Sequence, residues 1–389
     1  FCDATVVVPN ASDGIASTEI QRYVVPQNVE FFLLPNGGAI NSGLLKEDVV
    51  VSNTTELLAA LGNASGGETM VLESGNYGDV DLTNLQFSDY VTITSANGQG
   101  AVFHTLDIEG SQHLRFDSIQ VANSGNGVRG QGFVNIVDSE NIELVNSDIH
   151  GSIDGSYSTG PELSPSAYGL EVSSSAHITI ANNTIHDAEH GAVFFGVNDL
   201  EVSNNTVNDV ASDSFKFGGI TNGLIENNTG ATRVHPSTND HVDFIQFQGG
   251  GSDIVLRGNV LLPQQFPNDK VYQGIFLKDG IFNDVIIEDN LIYTNTVNGI
   301  KIKSNSGTGG NITIKNNTVL TPPDATKWGN ADIILADLQG TYKIENNIAD
   351  RIVDQVNNGK GSISGNVELQ WENWTVANYY NNFYVNATE

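Results

Sequence analysis

Short runs of alternating apolar and polar residues recur along the second half of the chain, and each carries an asparagine. From residue 178 onward they read ITIANNTI, LEVSNNTV, GLIENNTG, IVLRGNVL, VIIEDNLI, ITIKNNTV and YKIENNIA. Such alternation predicts half-buried β-strands. The repeated asparagines are Asn183, Asn205, Asn228, Asn259, Asn290, Asn317 and Asn347, at steps of 22, 23, 31, 31, 27 and 30 residues. A signature that recurs every 20–30 residues or so predicts a stacked solenoid.

The asparagine indicates which kind of solenoid this is. It follows a strand and lies where the chain must turn. Asparagine tolerates left-handed backbone conformation, and its amide can hydrogen-bond the equivalent asparagine one coil away. A ladder of stacked asparagines is typical of a parallel β-helix. We therefore predict an all-β fold, a single-stranded parallel β-helix with a capping helix at its N-terminal end.

Three regions follow from where the repeat begins and ends. Residues 1–49 show no repeat, and we expect an irregular segment that packs on the solenoid. Residues 50–365 form the parallel β-helix and carry the chemistry, and the aromatic stretch 366–389 forms a tail or cap. Asn53 or Thr54 can cap a short helix, TELLAAL. A solenoid needs such a cap on its first coil.

A second strand precedes each asparagine run: YGLEV, HGAVF, DSFKF, VDFIQF, QGIFL and NGIKI. Alternate side chains of a strand point to opposite faces, so one aligned position per coil points outward. That row is Glu171, Val193, Lys216, Gln246, Phe276 and Lys301. A second row, at the turn before each strand, is Tyr168, His190, Asp213, Asp243, Gln273 and Asn298. We expect an extended ligand to bind along these rows.

The charge of the chain narrows the choice of ligand. The formal net charge is −30, with 46 acidic and 16 basic residues. We therefore expect neither nucleic acid nor an anionic membrane as partner, because both favour basic surfaces. No apolar stretch approaches the length of a membrane-spanning helix. The single cysteine, Cys2, excludes an intrachain disulfide. The N-terminal residues lack the basic region of a secretion signal, and we expect a signal already removed or outside this sequence.

Basic residues and histidines are placed unevenly. None of the Lys and Arg residues lies between 130 and 215, after which Lys216, Lys278 and Lys301 map onto one sheet or its end. The densest stretch is 233–250, where the asparagine step also lengthens. Inserted loops that carry polar side chains are common sites of function. The candidate residues of this stretch are Arg233, His235, Asp240, His241, Asp243 and Gln246, and His150, His186 and His190 lie in coils that could neighbour it.

Over about residues 50–350 the sequence resembles the pectate-lyase-like superfamily of right-handed parallel β-helix proteins. The resemblance rests on the coil period, the asparagine ladder and the capping helix. The superfamily includes polysaccharide lyases, uronan epimerases, glycoside hydrolases and phage tailspikes. The segment DSFKFGG is similar to the part of family 9 pectate lyases in which a lysine is the Brønsted base, which implies that role for Lys216. HGAVF and DSFKF are also similar to coils of alginate C5-epimerases, whose catalytic groups are a Tyr, a His, an Arg and an Asp.

The resemblance implies a secreted or extracellular enzyme, most simply a lyase that cleaves an alginate- or pectate-like uronan by β-elimination. Lys216 or His241 would remove the C5 proton, and Arg233 would neutralise the carboxylate. Tyr168 or His190 would protonate the leaving oxygen. Asp243 would orient His241 or bind calcium. The substrate-binding set is Gln246, Lys278, Lys301, Glu171 and His235, and the calcium set is Asp213, Asp240 and Asp243.

Three alternatives remain open at this point. A mannuronan C5-epimerase would share the proton abstraction. A glycoside hydrolase needs two carboxylates roughly 5–10 Å apart, and Asp213 and Asp243 occupy equivalent turns of consecutive coils. A glycan-binding module such as a tailspike shaft would need no catalytic groups. We expect an extended anionic polysaccharide as ligand, no organic cofactor, and a monomer.

Overall fold

The computed structural model describes most of the solenoid and leaves its longest connections out. The residues described are 46, 48–123, 131–151, 167–230, 242–262, 273–304, 309–322, 329–356 and 358–369, together with the backbone of 2–7 and 20–25. The chain divides into two compact units, Phe1–Leu45 and Lys46–Glu389. The first unit, which we expected to be irregular, contains strands Cys2–Val7 and Ile20–Val25 paired antiparallel. Its packing on the solenoid stays a prediction.

The second unit is the predicted parallel β-helix, built from strands on three faces. Face 1 and face 3 share one continuous 21-stranded sheet, and face 2 is a separate 13-stranded sheet. The strands of face 1 are Gly75–Thr83, Ala101–Glu109, Gly132–Val137, Tyr168–Ser173, His190–Phe195, Phe215–Gly218, Asp243–Gln248, Gln273–Gly280, Ile300–Ser304, Asp332–Ala336 and Arg351–Asp354.

The other two faces complete each coil in the order face 1, face 2, face 3. The strands of face 2 are Val49–Val51, Thr69–Leu72, Gln86–Ser95, Gln112–Asp117, Glu140–Val145, Ala176–Ala181, Asn198–Ser203, Ile220–Glu226, Gly251–Arg257, Phe282–Glu288, Gly310–Lys315, Tyr342–Glu345 and Gly361–Ser364. The strands of face 3 are Gln120–Ala122, Asp148–His150, Thr184–Ala188, Thr206–Val210, Thr229–Gly230, Val260–Leu261, Leu291–Tyr293, Thr318–Leu320, Ile348–Ala349 and Val367–Glu368.

The helix lies where the sequence predicted it, at Thr54–Asn63. The Asn53 side chain accepts a hydrogen bond from the Glu56 backbone N–H at 3.0 Å. This bond satisfies one of the donors that a helix N-terminus leaves unpaired. Leu57 and Leu61 are buried and join the core of the first coils, so the helix covers apolar surface that a solenoid end would otherwise expose.

The asparagine ladder is continuous, and Asn366 extends it beyond the predicted members. From Asn183 onward, each side-chain Nδ2 donates to the Oδ1 of the asparagine one coil further, at 2.9–3.1 Å. The backbone N–H donates to the same oxygen, as from Asn228 to Asn259 at 3.0 Å. Nδ2 also reaches a main-chain carbonyl, as from Asn228 to Val202 at 2.8 Å. These amides are buried, and their hydrogen bonds satisfy groups that would be costly to leave unpaired.

The left-handed backbone of this turn lies one residue earlier than we expected. The residue before the ladder asparagine has a positive φ, for example 57° at Asn182, 56° at Asn204 and 55° at Asn227. Glycine takes this place at Gly258, with φ 63°. The turn therefore needs two residues with separate roles, one that tolerates positive φ and one that supplies the amide. This division explains the Asn-Asn and Gly-Asn doublets.

The interior beneath the central coils is a stack of aromatic rings. Phe194, Phe217 and Phe247 are fully buried, with ring centroids 5.0 and 4.6 Å apart. They lie in register on adjacent strands of face 1. Because side chains alternate along a strand, Phe215 and Phe217 point inward and Lys216 between them points outward. The buried phenylalanines thus fix which way Lys216 faces.

Asn228→Ala should destabilise the solenoid by about 1–3 kcal/mol for each buried group left unpaired. The substitution removes the Oδ1 that accepts from both the backbone and the side chain of Asn205. The measurement is the midpoint of urea unfolding. The control is the exposed neighbour Asn227→Gly, which keeps a positive φ accessible and should leave the midpoint nearly unchanged. Equal midpoints for Asn228→Ala and the control would contradict the ladder's role.

Candidate functional site

The corner between face 3 and face 1 is where the chain inserts its longest connections. In each coil a face 3 strand ends and a face 1 strand begins there. Five segments outside the described residues join these two faces: 124–130, 152–166, 231–241, 263–272 and 323–328. Inserted loops on a regular scaffold commonly carry function. We therefore expect the site on face 1 and at this corner.

The predicted turn row is one connected polar ladder at this corner, which we call the corner row. The ring centroids of Tyr168 and His190 are 5.0 Å apart, edge to face. His190 Nδ1 lies 3.5 Å from Asp213 Oδ2. The Asp243 backbone N–H donates to Asp213 Oδ1 at 2.8 Å. Further along, Asp243 pairs in register with Gln273, whose side chain accepts a hydrogen bond from Asn298.

The predicted outward row also aligns on face 1, and we call it the central row. Its members stack in register from Glu171 to Lys301. We expected surface positions, but Val193, Gln246 and Phe276 are only 1%, 4% and 6% exposed. Two residues further along each strand lies a more accessible line, the open row. Its members are Ser173, Phe195, Gly218, Gln248, Lys278 and Lys303.

Lysines gather at the C-terminal end of these rows around one aromatic ring. The ammonium groups of Lys278 and Lys301 lie 5.5 and 5.2 Å from the centroid of Phe276. Such cation–π contacts hold positive charge over a ring face. Lys303 follows Lys278 in register. Burial lowers the pKa of Lys301, and the charge of Lys303 lowers it further, whereas Asp243 acts in the opposite direction.

These lysines lack the carboxylate partners that five other basic residues have. Within the described ranges, no carboxylate is ion-paired with Lys216, Lys278, Lys301 or Lys303, and Lys343 and Lys360, which lie outside the face 1 rows, share this property. Elsewhere ion pairs join Lys46 to Glu68, Arg115 to Asp117, Arg257 to Glu226, Lys315 to Glu288 and Arg351 to Asp332. In so acidic a chain, the face 1 lysines are therefore available to an external anion.

The N-terminal end of the same face has the opposite charge. Asp81, Asp107 and Asn135 precede Glu171 in the central row. Burial raises the pKa of Asp107, and the nearby charge of Asp81 raises it further. A hydrogen bond that Asn135 donates to Asp107 at 2.6 Å acts in the opposite direction. Burial also raises the pKa of Glu171. The row thus changes from acidic to basic between Glu171 and Lys216, with Val193 between them.

Asp213 and Asp243 are buried members of the corner row. They are 2% and 0% exposed. Asp213 Oδ1 accepts the Asp243 backbone N–H, and Asp243 Oδ2 accepts from Gln246 Nε2 at 2.7 Å. These bonds engage one oxygen of each carboxylate, and the hydrolase and calcium roles of the pair stay predictions. In the part of the chain described, no group of three or more His, Cys, Asp or Glu side chains is placed to hold a metal.

Four predicted residues lie outside the described residues, namely Arg233, His235, Asp240 and His241. Their roles, and the calcium set that includes Asp240, stay predictions. Sequence reasoning did not assign Lys303 or Phe195 to the site. The alternation in IKIKS, which puts Lys301 and Lys303 on one face, could have identified Lys303.

The described histidines that we expected to neighbour residues 233–250 occupy two places. His190 belongs to the corner row, whereas His150 and His186 stack on face 3 with ring centroids 4.9 Å apart. His186 Nε2 lies 3.0 Å from Asp148 Oδ1, and Nδ1 lies 2.5 Å from Asp187 Oδ2. Burial opposes the charged ring, but the bonds to both aspartates outweigh it and raise the pKa of His186 to about 9.

The model of the family "Right handed beta helix region" matches residues 104–349, more than half of the chain. The chain therefore belongs to the right-handed β-helix family, and the handedness we expected is confirmed. No curated protein matches the chain. Among the described residues, no helix is long and apolar enough to cross a membrane.

Three solved structures illustrate the range of similar folds. An alginate lyase from Paenibacillus sp. str. FPU-7 is 14% identical, with a TM-score of 0.35, over 83% of this chain and 99% of its own. PfbA, a surface adhesin of Streptococcus pneumoniae, is 13% identical with a TM-score of 0.43, and the match covers 80% of this chain and 88% of PfbA. The catalytic unit of a GH87 α-1,3-glucanase from Streptomyces thermodiastaticus is 14% identical with a TM-score of 0.46, and the match covers 83% of this chain and 67% of the glucanase chain. At such low similarity they do not discriminate between activities.

His186→Gln should make stability less sensitive to alkaline pH. The folded pKa, about 9, is above the reference value of 6.5. Below pH 6.5 the protonated His186 ring therefore contributes its full stabilisation to the fold. This contribution is lost as the pH rises through the folded pKa of about 9. We expect the variant to lower the urea midpoint at pH ~6 and to change it little at pH ~10.

The control for this experiment is His104→Gln. His104 pairs with Asp79 at 2.6 Å, but both side chains are largely exposed. Exposed ion pairs contribute little, so the control should change the midpoint little at either pH. An equal loss for His186→Gln at both pH values would contradict the ion-paired histidine.

Proposed function

We propose that this chain is a polysaccharide lyase that cleaves an anionic uronic-acid polysaccharide by β-elimination along face 1. The observation that carries the proposal is the group of lysines without carboxylate partners on one face of a chain with net charge −30. The net negative charge of the protein would repel a polyanion unless cationic side chains were concentrated at the binding site. Such a substrate is extracellular, so the proposal includes an extracellular protein.

The spacing of the lysines suits an extended chain of carboxylates. Adjacent coils lie about 4.8 Å apart, so Lys216 and Lys301, three coils apart in the central row, are separated by roughly 14 Å. Lys278 and Lys303 flank this line in the open row. A linear uronan laid along the solenoid axis would therefore meet successive ammonium groups. The acidic residues from Asp81 to Glu171 would repel it from the other end, so Glu171, which we predicted to bind substrate, would instead limit how far the polymer extends.

Lys216 is the proposed base. A lysine accepts a proton only in its neutral form, and a neighbouring carboxylate would favour the charged form. Within the described residues no carboxylate is ion-paired with Lys216, and its neighbours in the row are Val193 and Gln246. Neutral Lys216 would take the C5 proton of a uronate, whose carboxylate is stabilised by a neighbouring cation.

The electrons of the C5–H bond would form the C4–C5 double bond as the C4–O bond breaks. The leaving oxygen then needs a proton, and Tyr168 or His190 of the corner row would supply it. The Asp213 backbone N–H donates to His190 Nδ1 at 3.3 Å. The same ring nitrogen lies 3.5 Å from Asp213 Oδ2, so Asp213 orients the His190 ring in the corner row. Lys278 would hold a neighbouring sugar, whereas Gln246, predicted for the same role, is buried against Asp243 and is left out of the proposed site.

A uronan C5-epimerase is the second candidate function. The contact between the Tyr168 and His190 rings favours it, because two groups that exchange protons lie side by side. The first step, removal of the C5 proton, is the same. The reactions differ in whether a proton returns to C5 or the C4 oxygen leaves.

A panel of alginate, polymannuronate, polyguluronate, pectate and ulvan tests the proposal. Elimination creates an unsaturated uronate that absorbs in the ultraviolet, and hydrolysis does not. Proton NMR on the same samples detects epimerisation, which absorbance misses. We expect new ultraviolet absorbance with at least one uronan. Unchanged absorbance and NMR spectra with every polymer would overturn the proposed function.

Lys216→Ala should lower kcat on the best polymer by about 10²–10⁴-fold, the usual contribution of a general base. KM should change less, because other lysines bind the chain. Initial rates of ultraviolet absorbance measure both. The control is Lys343→Ala, which removes an exposed lysine from face 2. A wild-type rate for Lys216→Ala, with Lys343→Ala also unchanged, would exclude Lys216 as the base.

The double variant Lys278→Gln with Lys303→Gln should raise KM and weaken its dependence on salt, with little change in kcat. Exposed charges are screened as ionic strength rises, because the Debye length falls from ~10 Å at 0.1 M to ~3 Å at 1 M. KM measured across this range checks the expectation. Lys343→Gln with Lys360→Gln removes the same charge away from face 1. A KM increase in both double variants alike would mean that net charge, and not a site, attracts the substrate.

A further inference from the structure

One aromatic ring on face 1 is accessible to solvent without a role in the mechanism above. Phe195 is 38% exposed, and no other Phe, Tyr or Trp side chain among the described residues is as exposed. It ends the strand His190–Phe195 in the open row. In the neighbouring strand its register partner is Gly218, two residues after Lys216. The ring therefore lies next to the position of the proposed base.

The ring lies against the backbone of the next coil. A Cβ atom placed on Gly218 would be 2.7 Å from Phe195 Cδ1 and 3.0 Å from its Cε1, closer than carbon atoms pack. Gly218 is not among the glycines with a positive φ, so backbone conformation does not require a glycine at this position. The missing side chain instead makes room for the Gln248 backbone carbonyl, which would lie 2.8 Å from that Cβ atom, and for the Phe195 ring, which extends over the coil that carries Lys216.

We propose that Phe195 and Gly218 form a stacking platform for one pyranose ring of the bound polysaccharide. This inference rests on the proposed function and assigns a subsite within it. The C–H bonds on one side of a pyranose form an apolar patch, and an aromatic face buries such a patch favourably. Binding sites for small ligands commonly combine aromatic surface with a few convergent polar groups.

The surroundings of the ring favour a sugar acid as occupant. Lys216 lies on the same side of the strand as Gly218, because residues two apart in a strand share a face. A uronate has an apolar ring side and a carboxylate, and this site offers one aromatic ring beside one lysine. The sugar stacked on Phe195 would thus have its C5 region directed toward Lys216.

Phe195→Ala should raise the dissociation constant for an oligouronate about tenfold, the size expected for an aromatic contact. Phe195→Leu, apolar but without a ring face, should lose most of this affinity, and Phe195→Trp should keep or increase it. The loss should be the same at low and high salt, unlike the loss caused by removing lysines. Isothermal titration calorimetry measures each constant, and circular dichroism and urea midpoints check that every variant folds.

Wild-type affinity in both Phe195→Ala and Phe195→Leu would overturn the platform. Should the wild type bind or cleave no uronan, the proposed function fails by itself, and the same variants are then compared on neutral glucans by affinity electrophoresis. A loss there with Phe195→Ala, restored by Phe195→Trp, would support a pyranose platform without the uronan chemistry. No binding to any glycan by the wild type would overturn both proposals.

Discussion

A buried hydrogen bond between asparagines, repeated once in each coil, is the constraint on which this structure depends. A slip of one residue in any coil would leave an amide unpaired in the interior and turn the inward side chains of that coil outward. With the register held from Asn183 to Asn366, equivalent side chains stack at about 4.8 Å. A row of lysines on face 1 is therefore a direct product of the ladder, because residues far apart in sequence become neighbours only when every coil keeps its place.

Electrostatics then distinguishes face 1 from the rest of the solenoid. Among the described residues, several basic side chains outside face 1 are paired, as Arg257 is with Glu226 and Lys315 with Glu288, whereas Lys343 and Lys360 are not. On face 1, Lys278 and Lys301 instead lie over Phe276, whose ring stabilises their charge without neutralising it. The acidic residues on the N-terminal side of the face, ending at Glu171, make the two ends of face 1 opposite in charge. A polyanion would be attracted to one half of the face and repelled by the other.

Much of the fold and the two rows could be predicted from the sequence, because period-two alternation and the asparagine signature are local patterns. The positions of Tyr168, His190 and Lys216 followed from counting between these signals. Burial could not be predicted in this way. Val193 and Gln246 point outward yet are buried, which depends on neighbours in adjacent coils. The pairing of His150 with His186, away from His190, likewise depends on which face each strand joins, and that required the strand boundaries. The left-handed residue before each ladder asparagine was missed because both residues of the doublet are often asparagine.

The most direct measurement is a crystal structure of the Lys216→Ala variant with a bound oligouronate. We expect saccharide density along face 1, with one ring on Phe195 and carboxylates near Lys278, Lys301 and Lys303. The bound saccharide should end before the acidic residues that precede Lys216 in the central row. Density on face 2 or face 3, or along the coils of Asp81 and Asp107, would contradict the proposal that this right-handed β-helix binds a polysaccharide on face 1.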